Sequence, residues 1–280
     1  MLKKKLCLIG LLVLSLTPFG KGELEDGTIY SDVLKRNISY KAYIPKGYEK
    51  GRDFPILFLF HGLNGDQNSW LGEKNGDIVK ILDKLINTKK IKPMVVVMPA
   101  AGNSWYVDGK ESIKTAFKRD FFPEIDKQYK VSTDRMDRGL GGVSMGGAGV
   151  MTFFLDDPEK FGNLLLMSPA LFEELAPRHT AVSPVTQEDI KREYYKNHWK
   201  NYEEKELKTN VFLIVGDKDN LEDKYGEKIY QKNVLELFEA FRAKNDVPNL
   251  RIVDGEHEWS VWRQGLEEGI EVTFGKKLDK

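Results

Sequence analysis

The chain has 280 residues, 41% of them hydrophobic, with 43 basic and 43 acidic side chains, a length that supports one large core or two small ones. The balanced charge leaves no basic domain to hold a phosphate backbone, which excludes nucleic acid as a partner. A single cysteine, Cys7, excludes a disulfide framework.

Residues 1–20 differ from the rest. Lys3, Lys4 and Lys5 precede the apolar run Leu6 to Leu16, and Thr17-Pro-Phe-Gly20 follows, the pattern of a secretory leader. The run is too short for a comfortable bilayer span. Residues 1–20 therefore read as a signal peptide, or as a membrane-anchoring leader if uncleaved, and residues 21–280 as a single domain that is secreted or periplasmic. No stable membrane partner is expected beyond the leader. No small-x-small pair precedes Lys21, so the cleavage site is undefined, and Cys7 sits mid-run, the wrong place for lipid attachment. Removing the leader leaves 40 basic residues against 43 acidic ones, and no thiol to act as nucleophile or metal ligand.

Residues 21 to 37 are polar and read as surface chain before or within a first edge strand. Ile38-Ser-Tyr-Lys-Ala-Tyr-Ile44 alternates with a period of two and stops at Pro45-Lys-Gly47, as a strand with one wet face does. Phe54-Pro-Ile-Leu-Phe-Leu-Phe60 is apolar on both faces, the mark of a central strand between helices. The Gly-rich loop His61 to Trp70 leaves that strand's C-terminal end, where open α/β sheets place ligands. It reads either as an exposed connection whose glycines serve turns or as a loop in which Leu63 N–H meets an oxyanion. His61 is expected to brace this loop, and Trp70 is a candidate for a substrate groove.

Apolar residues from Ile78 to Ile86 recur at helical spacing, and Pro93 to Pro99 gives a second buried strand. In the loop that follows, Trp105 and Tyr106 either wall a substrate groove or pack the loop down. Ile113, Phe117, Phe121, Ile125 and Tyr129 share one face of the next helix, which Pro123 is expected to kink or break.

Met136 to Val143 supplies a strand and Met145 to Leu155 a helix. Between them Gly142-Val-Ser-Met-Gly146 matches the G-x-S-x-G nucleophile elbow. A serine on so sharp a turn needs neighbours without a β-carbon two positions away on each side, or strand and helix backbones cannot approach. The helix N-terminus points unpaired N–H groups towards Ser144, and Met145 N–H is the second expected oxyanion donor. Leu164 to Met167 is a further strand. From Ser168 to Asn210 the pattern is irregular, broken by Pro169, Pro177 and Pro184: a short lid-like excursion or substrate wall, or plain helical surface. Val211 to Val215 is a buried strand, Ile229 to Lys244 a helix and Asn249 to Asp254 the last strand, before Gly255 to Arg263 turns into the final helix. The fold expected is a doubly wound, mostly parallel α/β sheet with antiparallel N-terminal strands.

A serine hydroxyl is a poor nucleophile until an imidazole takes its proton, and the imidazole needs a carboxylate to fix its tautomer. The histidines are His61, His179, His198 and His257. His179 and His198 lie in the excursion, where surface or core roles are the default. His257 follows the last strand in a loop that opens on the same sheet edge as Ser144, and is the expected base. Asp217 and Asp219 compete for the acid in one loop, and Asp219 is preferred because it reaches further into the crevice. The order Ser, Asp, His is that of the α/β-hydrolases among triad enzymes. Trp259 is a further groove candidate. No metal cluster is visible in the sequence, and no metal or other cofactor is expected.

The chain resembles the Putative esterase family of α/β-hydrolases, which contains feruloyl and acetyl xylan esterases, S-formylglutathione hydrolase and secreted mycolyltransferases. The resemblance runs from about Tyr40 to Phe274. It rests on Phe58-Leu-Phe-His-Gly-Leu-Asn-Gly65 with Trp70, on Gly141-Gly-Val-Ser-Met-Gly-Gly147, and on Gly255-Glu-His-Glu-Trp-Ser-Val-Trp-Arg263. It implies a triad of Ser144, Asp219 and His257 with the Leu63 and Met145 N–H groups as oxyanion hole, in agreement with the residues read alone. The expectation is a serine carboxylesterase acting on small or polysaccharide-linked esters of acetyl or hydroxycinnamoyl type. The competing readings are an acyltransferase using the same triad, a serine peptidase, and a non-catalytic binding protein on a hydrolase scaffold.

Overall fold

The computed structural model describes residues 20–48, 53–219, 228–246 and 248–275. The expected leader, except Gly20, lies outside them. Among the described residues β1 (Glu23–Ser31) pairs antiparallel with β2 (Arg36–Ile44), and β2 pairs antiparallel with a strand at Val95–Pro99. In chain order β3 is Ile56–Phe60, β4 Val95–Pro99, β5 Arg138–Val143, β6 Asn163–Met167, β7 Asn210–Gly216 and β8 Asn249–Val253. The spatial order is β1-β2-β4-β3-β5-β6-β7-β8, and every pairing from β4 onward is parallel. This is an α/β-hydrolase sheet, with the antiparallel start that the sequence suggests. β1 is longer than its polar sequence indicates: it pairs with β2 along its whole length, yet only Ile29 and Ser31 in it are buried.

The helices, in chain order, are α1 (Ile78–Asn87), α2 (Ile113–Ala116), α3 (Phe122–Tyr129), α4 (Met145–Asp156), α5 (Pro177–Thr180), α6 (Gln187–Glu193), α7 (Tyr195–His198), α8 (Lys200–Glu203), α9 (Ile229–Ala243) and α10 (Trp259–Phe274). Strand alternation sorts them into two layers. Ile56, Phe58 and Phe60 of β3 face one core cluster, shared with α3, α4 and α9, whereas Leu57 and Leu59 face the other, shared with α1 and α10. Both faces of the central strands are thus covered, which is why they read as unbroken apolar runs.

Pro123 is expected to kink or break its helix, but the chain stays helical from α2 into α3 and only its hydrogen-bond pattern changes. Between α2 and α3 lies a π-helical turn, Phe117–Phe121, in which Phe122 N–H reaches back to Phe117 O. Proline has no N–H to continue the i→i−4 ladder, and its ring crowds the carbonyl four residues earlier. The widened turn lets Phe117, Phe121 and Phe122 all enter the core.

Candidate active site

The sheet's parallel strands end on one edge, and the loops leaving β3, β5, β7 and β8 meet there around a cleft of about 800 Å³. At the end of β5 the chain reverses at Ser144, whose φ of 53° and ψ of −118° are strained for a residue with a side chain. The flanking glycines are a steric requirement. A β-carbon on Gly142 would lie 2.4 Å from the Gly146 carbonyl, and one on Gly146 would lie 2.3 Å from Phe60 O. The strained residue is pinned through its backbone. Ser144 N–H donates to Met167 O at 3.0 Å, and Ser144 O accepts from Ala170 N–H at 3.0 Å and from Ala148 N–H at 3.2 Å. Met145 opens α4, so its N–H has no carbonyl four residues back within the helix.

The loop after β3 passes close beside this serine. A β-carbon on Gly62 would sit 3.6 Å from Ser144 Cβ, and a turn closed by Gly65 N–H donating to Gly62 O at 3.1 Å presents Leu63 at the cleft. His61 braces the loop, as expected. Its Nδ1–H donates to Gly62 O at 2.7 Å, and its Nε2 accepts from Ala101 N–H at 3.0 Å, a pairing that requires the neutral ring. Burial holds this imidazole below the usual histidine range.

Asp219 and His257 meet from the ends of β7 and β8. His257 Nδ1 lies 2.9 Å from Asp219 Oδ2, with the carboxylate fully buried and the imidazole partly open to the cleft. Two aromatic rings also pack against the imidazole. Tyr230 of α9 stacks on it at 4.2 Å and 23°, and Trp262 of α10 meets it edge-on at 4.8 Å. Asp217, the competing acid, ties the two loops together, its Oδ1 accepting from Gly255 N–H at 2.9 Å. Ser144, Asp219 and His257 therefore line one cleft, with Leu63 on its rim. A serine hydroxyl and a carboxylate-oriented imidazole in one cleft are the equipment of nucleophilic acyl transfer.

Of the four aromatic groove candidates, only Trp259 lines the cleft. Trp70 is fully buried behind it, edge-on at 5.3 Å. Trp105 and Tyr106 do not wall a groove either. Both have positive φ, 56° and 58°, which curls the loop so that Tyr106 stacks under Phe60 at 4.6 Å and Trp105 donates from Nε1 to Ser183 Oγ at 3.0 Å. Large rings are driven inside when the backbone can turn them there. The excursion between β6 and β7 carries α5 to α8 and does form one wall of the cleft, through His179 and Val182. His179 is not a bland surface residue: its ring stacks on Phe172 at 5.7 Å. Nothing in the irregular sequence around it marks this position. His198 stays on the surface side of the excursion, with Nε2 at 2.8 Å from Arg192 O. Among the described residues no group of three or more His, Cys, Asp or Glu side chains is placed to hold a metal ion, and no helix is long and apolar enough to cross a membrane.

Comparison with known proteins bears on the family and the fold. A family model described as "Putative esterase" matches residues 31–271. An endo-1,4-beta-xylanase/feruloyl esterase of Xylanibacter ruminicola is 26% identical over 265 residues, which is 90% of this chain but 31% of that relative, so the chain spans about a third of its length. An acetyl esterase of Caldicellulosiruptor saccharolyticus is 26% identical over 160 residues, covering 51% of this chain and 54% of the relative. Among solved structures, a ferulic acid esterase superposes with a TM-score of 0.75 at 22% identity, covering 91% of this chain and 98% of the other. An S-formylglutathione hydrolase from Agrobacterium tumefaciens does so with a TM-score of 0.67 at 19% identity, covering 92% and 98%.

Proposed function

We propose that this chain, which belongs to the Putative esterase family of α/β-hydrolases and is an enzyme of the serine-hydrolase type, is a carboxylesterase whose triad is Ser144, His257 and Asp219. The observation that carries the assignment is the 2.9 Å contact between His257 Nδ1 and Asp219 Oδ2 in the cleft that Ser144 lines. With Nδ1–H held by the carboxylate, Nε2 is the basic nitrogen. Ser144 Oγ attacks the ester carbonyl carbon as its proton passes to His257 Nε2. The carbonyl π electrons move onto oxygen, where the Leu63 and Met145 N–H groups receive the charge. The tetrahedral species collapses, the bond to the alcohol oxygen breaks, and His257 returns the proton to the departing alkoxide. Water then repeats the cycle on the acyl-enzyme, giving up one proton to His257, which passes it back to Ser144 as the acid leaves.

The substrate class we favour is a small or polysaccharide-linked ester of acetyl or hydroxycinnamoyl type, met outside the cytoplasm. Three observations support it: the leader pattern before Lys21, the feruloyl and acetyl esterase names of the relatives, and a cleft lined by the polar Asn64, Ser69 and Asn75 together with the apolar Trp259 and Val182. The test is Ser144→Ala with a panel of chromogenic and sugar-linked esters. The variant should fold and lose hydrolysis of every ester that the wild type cleaves, and retained activity would discard the triad. Adding an alcohol or sugar acceptor to the same assay separates hydrolysis from acyl transfer.

A further inference from the structure

We propose that Asn103 is a positioning residue for the oxyanion turn and that its amide ties this turn to the excursion wall. The inference rests on the esterase reading above. The turn Gly62 to Gly65 uses the N–H of its last residue, which leaves the N–H groups of its central pair, Leu63 and Asn64, free of the turn's own bonding. Either could face a developing oxyanion, and aiming one requires withdrawing the other. Asn103 makes that selection. Its Oδ1 accepts from Asn64 N–H at 2.7 Å, while its Nδ2 donates to Asn64 Oδ1 at 2.9 Å and to Val182 O at 2.9 Å. The orientation of the amide is fixed by its partners, because a flipped carboxamide would set oxygen against two oxygens and nitrogen against an N–H.

The backbone agrees with this assignment. Asn64 has a φ of 61°, in the left-handed region that asparagine tolerates better than most residues. Its N–H is committed to Asn103, so Leu63 supplies the N–H on the side of Ser144. Val182 lies on the cleft wall beside His179, and Val182 N–H donates to His179 O at 3.3 Å. One side chain in the loop after β4 thus joins the oxyanion turn to the segment that walls the substrate. A second bond, from Trp105 Nε1–H to Ser183 Oγ, links the β4 loop to the excursion without touching the turn. Losing the Asn103 amide should therefore loosen the turn more than it loosens the wall.

The test uses the full chain with p-nitrophenyl acetate, comparing wild type, Ser144→Ala, Asn103→Ala, Asn103→Asp and Trp105→Phe. We expect kcat to fall about tenfold in Asn103→Ala with KM within about twofold, since the lost contact acts on the transition state rather than on bound ester. Asn103→Asp keeps the size and loses both donors, so kcat falls in the same direction. Trp105→Phe should melt earlier but keep kcat within about twofold, which a merely structural role for Asn103 would not distinguish. Binding of a trifluoromethyl ketone, whose adduct carries the oxyanion, should weaken by the factor that kcat/KM loses. A kcat within about twofold of wild type in both Asn103 variants, or an equal loss in Trp105→Phe, overturns the proposal. An inactive wild type, or an active Ser144→Ala, overturns the esterase reading itself.

Discussion

Gly146→Ala adds one methyl group at the tightest approach in the elbow. That carbon would lie 2.3 Å from Phe60 O, 2.7 Å from Phe60 C and 2.8 Å from His61 O, where ordinary contact begins near 3.4 Å. All three atoms are backbone, and Phe60 ends a strand paired with β5, so no rotamer change relieves the clash. β3 and α4 would have to part by about 1 Å. Overpacking of this kind costs about 3 kcal/mol at the rigid end of its range, and the gain in helix propensity from Gly to Ala returns about 1 kcal/mol. The remaining 2 kcal/mol or so corresponds to a fall in Tm of roughly 4–8 °C for a chain of this size. Activity should suffer more than stability, because the displaced strand end carries the Leu63 turn, and a 1 Å misplacement can cost about a hundredfold in rate. Thermal melts by circular dichroism and kcat/KM on a short ester read both effects. Gly72→Ala is the control: its φ of 78° is strained for alanine, but nothing lies within 4 Å of the added carbon, so about 1 kcal/mol should be lost and no activity. A Gly146→Ala protein that melts within about 2 °C of wild type and turns over at the same rate would refute the steric reading of the elbow.

The two aspartates in the β7 loop should separate cleanly. Asp219→Asn is expected to lower kcat/KM by about 10³ to 10⁴, the loss that follows when the imidazole takes the wrong tautomer, and Asp217→Asn by less than about tenfold; comparable losses would reopen the choice of acid. Ser144→Gly and Ser144→Ala both remove the hydroxyl, but only glycine relaxes at a φ of 53°, so the glycine variant should melt about 3 °C higher; equal melting points would mean the turn stores no strain. For His61, burial makes the folded ring bind a proton less readily than the unfolded one, so its contribution is full above the ordinary value of 6.5 and declines as the pH falls below it. Urea titrations between about pH 7.5 and pH 5 should show a steeper loss of stability for wild type than for His61→Gln, and parallel slopes would exclude His61 from the acid response.

What could be read from the sequence divides along physical lines. The strands β3, β4, β6 and β7 were legible because burial on both faces leaves an apolar residue at nearly every position, and β5, which carries three glycines, was legible from the elbow that follows it, whereas β1 was not, being wet except at Ile29 and Ser31. The excursion's helices are too short for a 3.6-residue period to show. Only α6 carries a local signal, the capping box between Thr186 and Asp189. Trp105 and Tyr106 were ambiguous because residue type does not disclose two successive left-handed residues. Ser144 was legible for the opposite reason: its glycine spacing is a steric rule written into five consecutive residues. Asn103 was hidden, since its partner Asn64 stands 39 residues away and both look like ordinary loop amides.

The two halves of the cleft are held in different ways, and β6 joins them. Ser144 owes its position to local sterics and to Met167 O at the end of β6. Asp219 and His257 owe theirs to a zipper between two loops: Asp217 N–H donates to Val253 O at 2.7 Å and Lys218 N–H to Gly255 O at 2.9 Å, while Gly255 N–H returns to Asp217 Oδ1. A β-carbon on Gly216 would strike Gly255 O at 2.2 Å, so the loops cannot separate and rejoin around a side chain there. Carboxylate and imidazole are thereby carried as one body. That body is referred to the serine by Trp262, whose ring abuts His257 and whose Nε1–H donates at 3.1 Å to Ser168 Oγ, one residue beyond Met167. Ser168 is fully buried and its φ is 41°, a cost the fold sustains only where surrounding contacts over-determine the backbone. The register between the His257 imidazole and Ser144 is thus set through the end of a strand that contributes neither side chain.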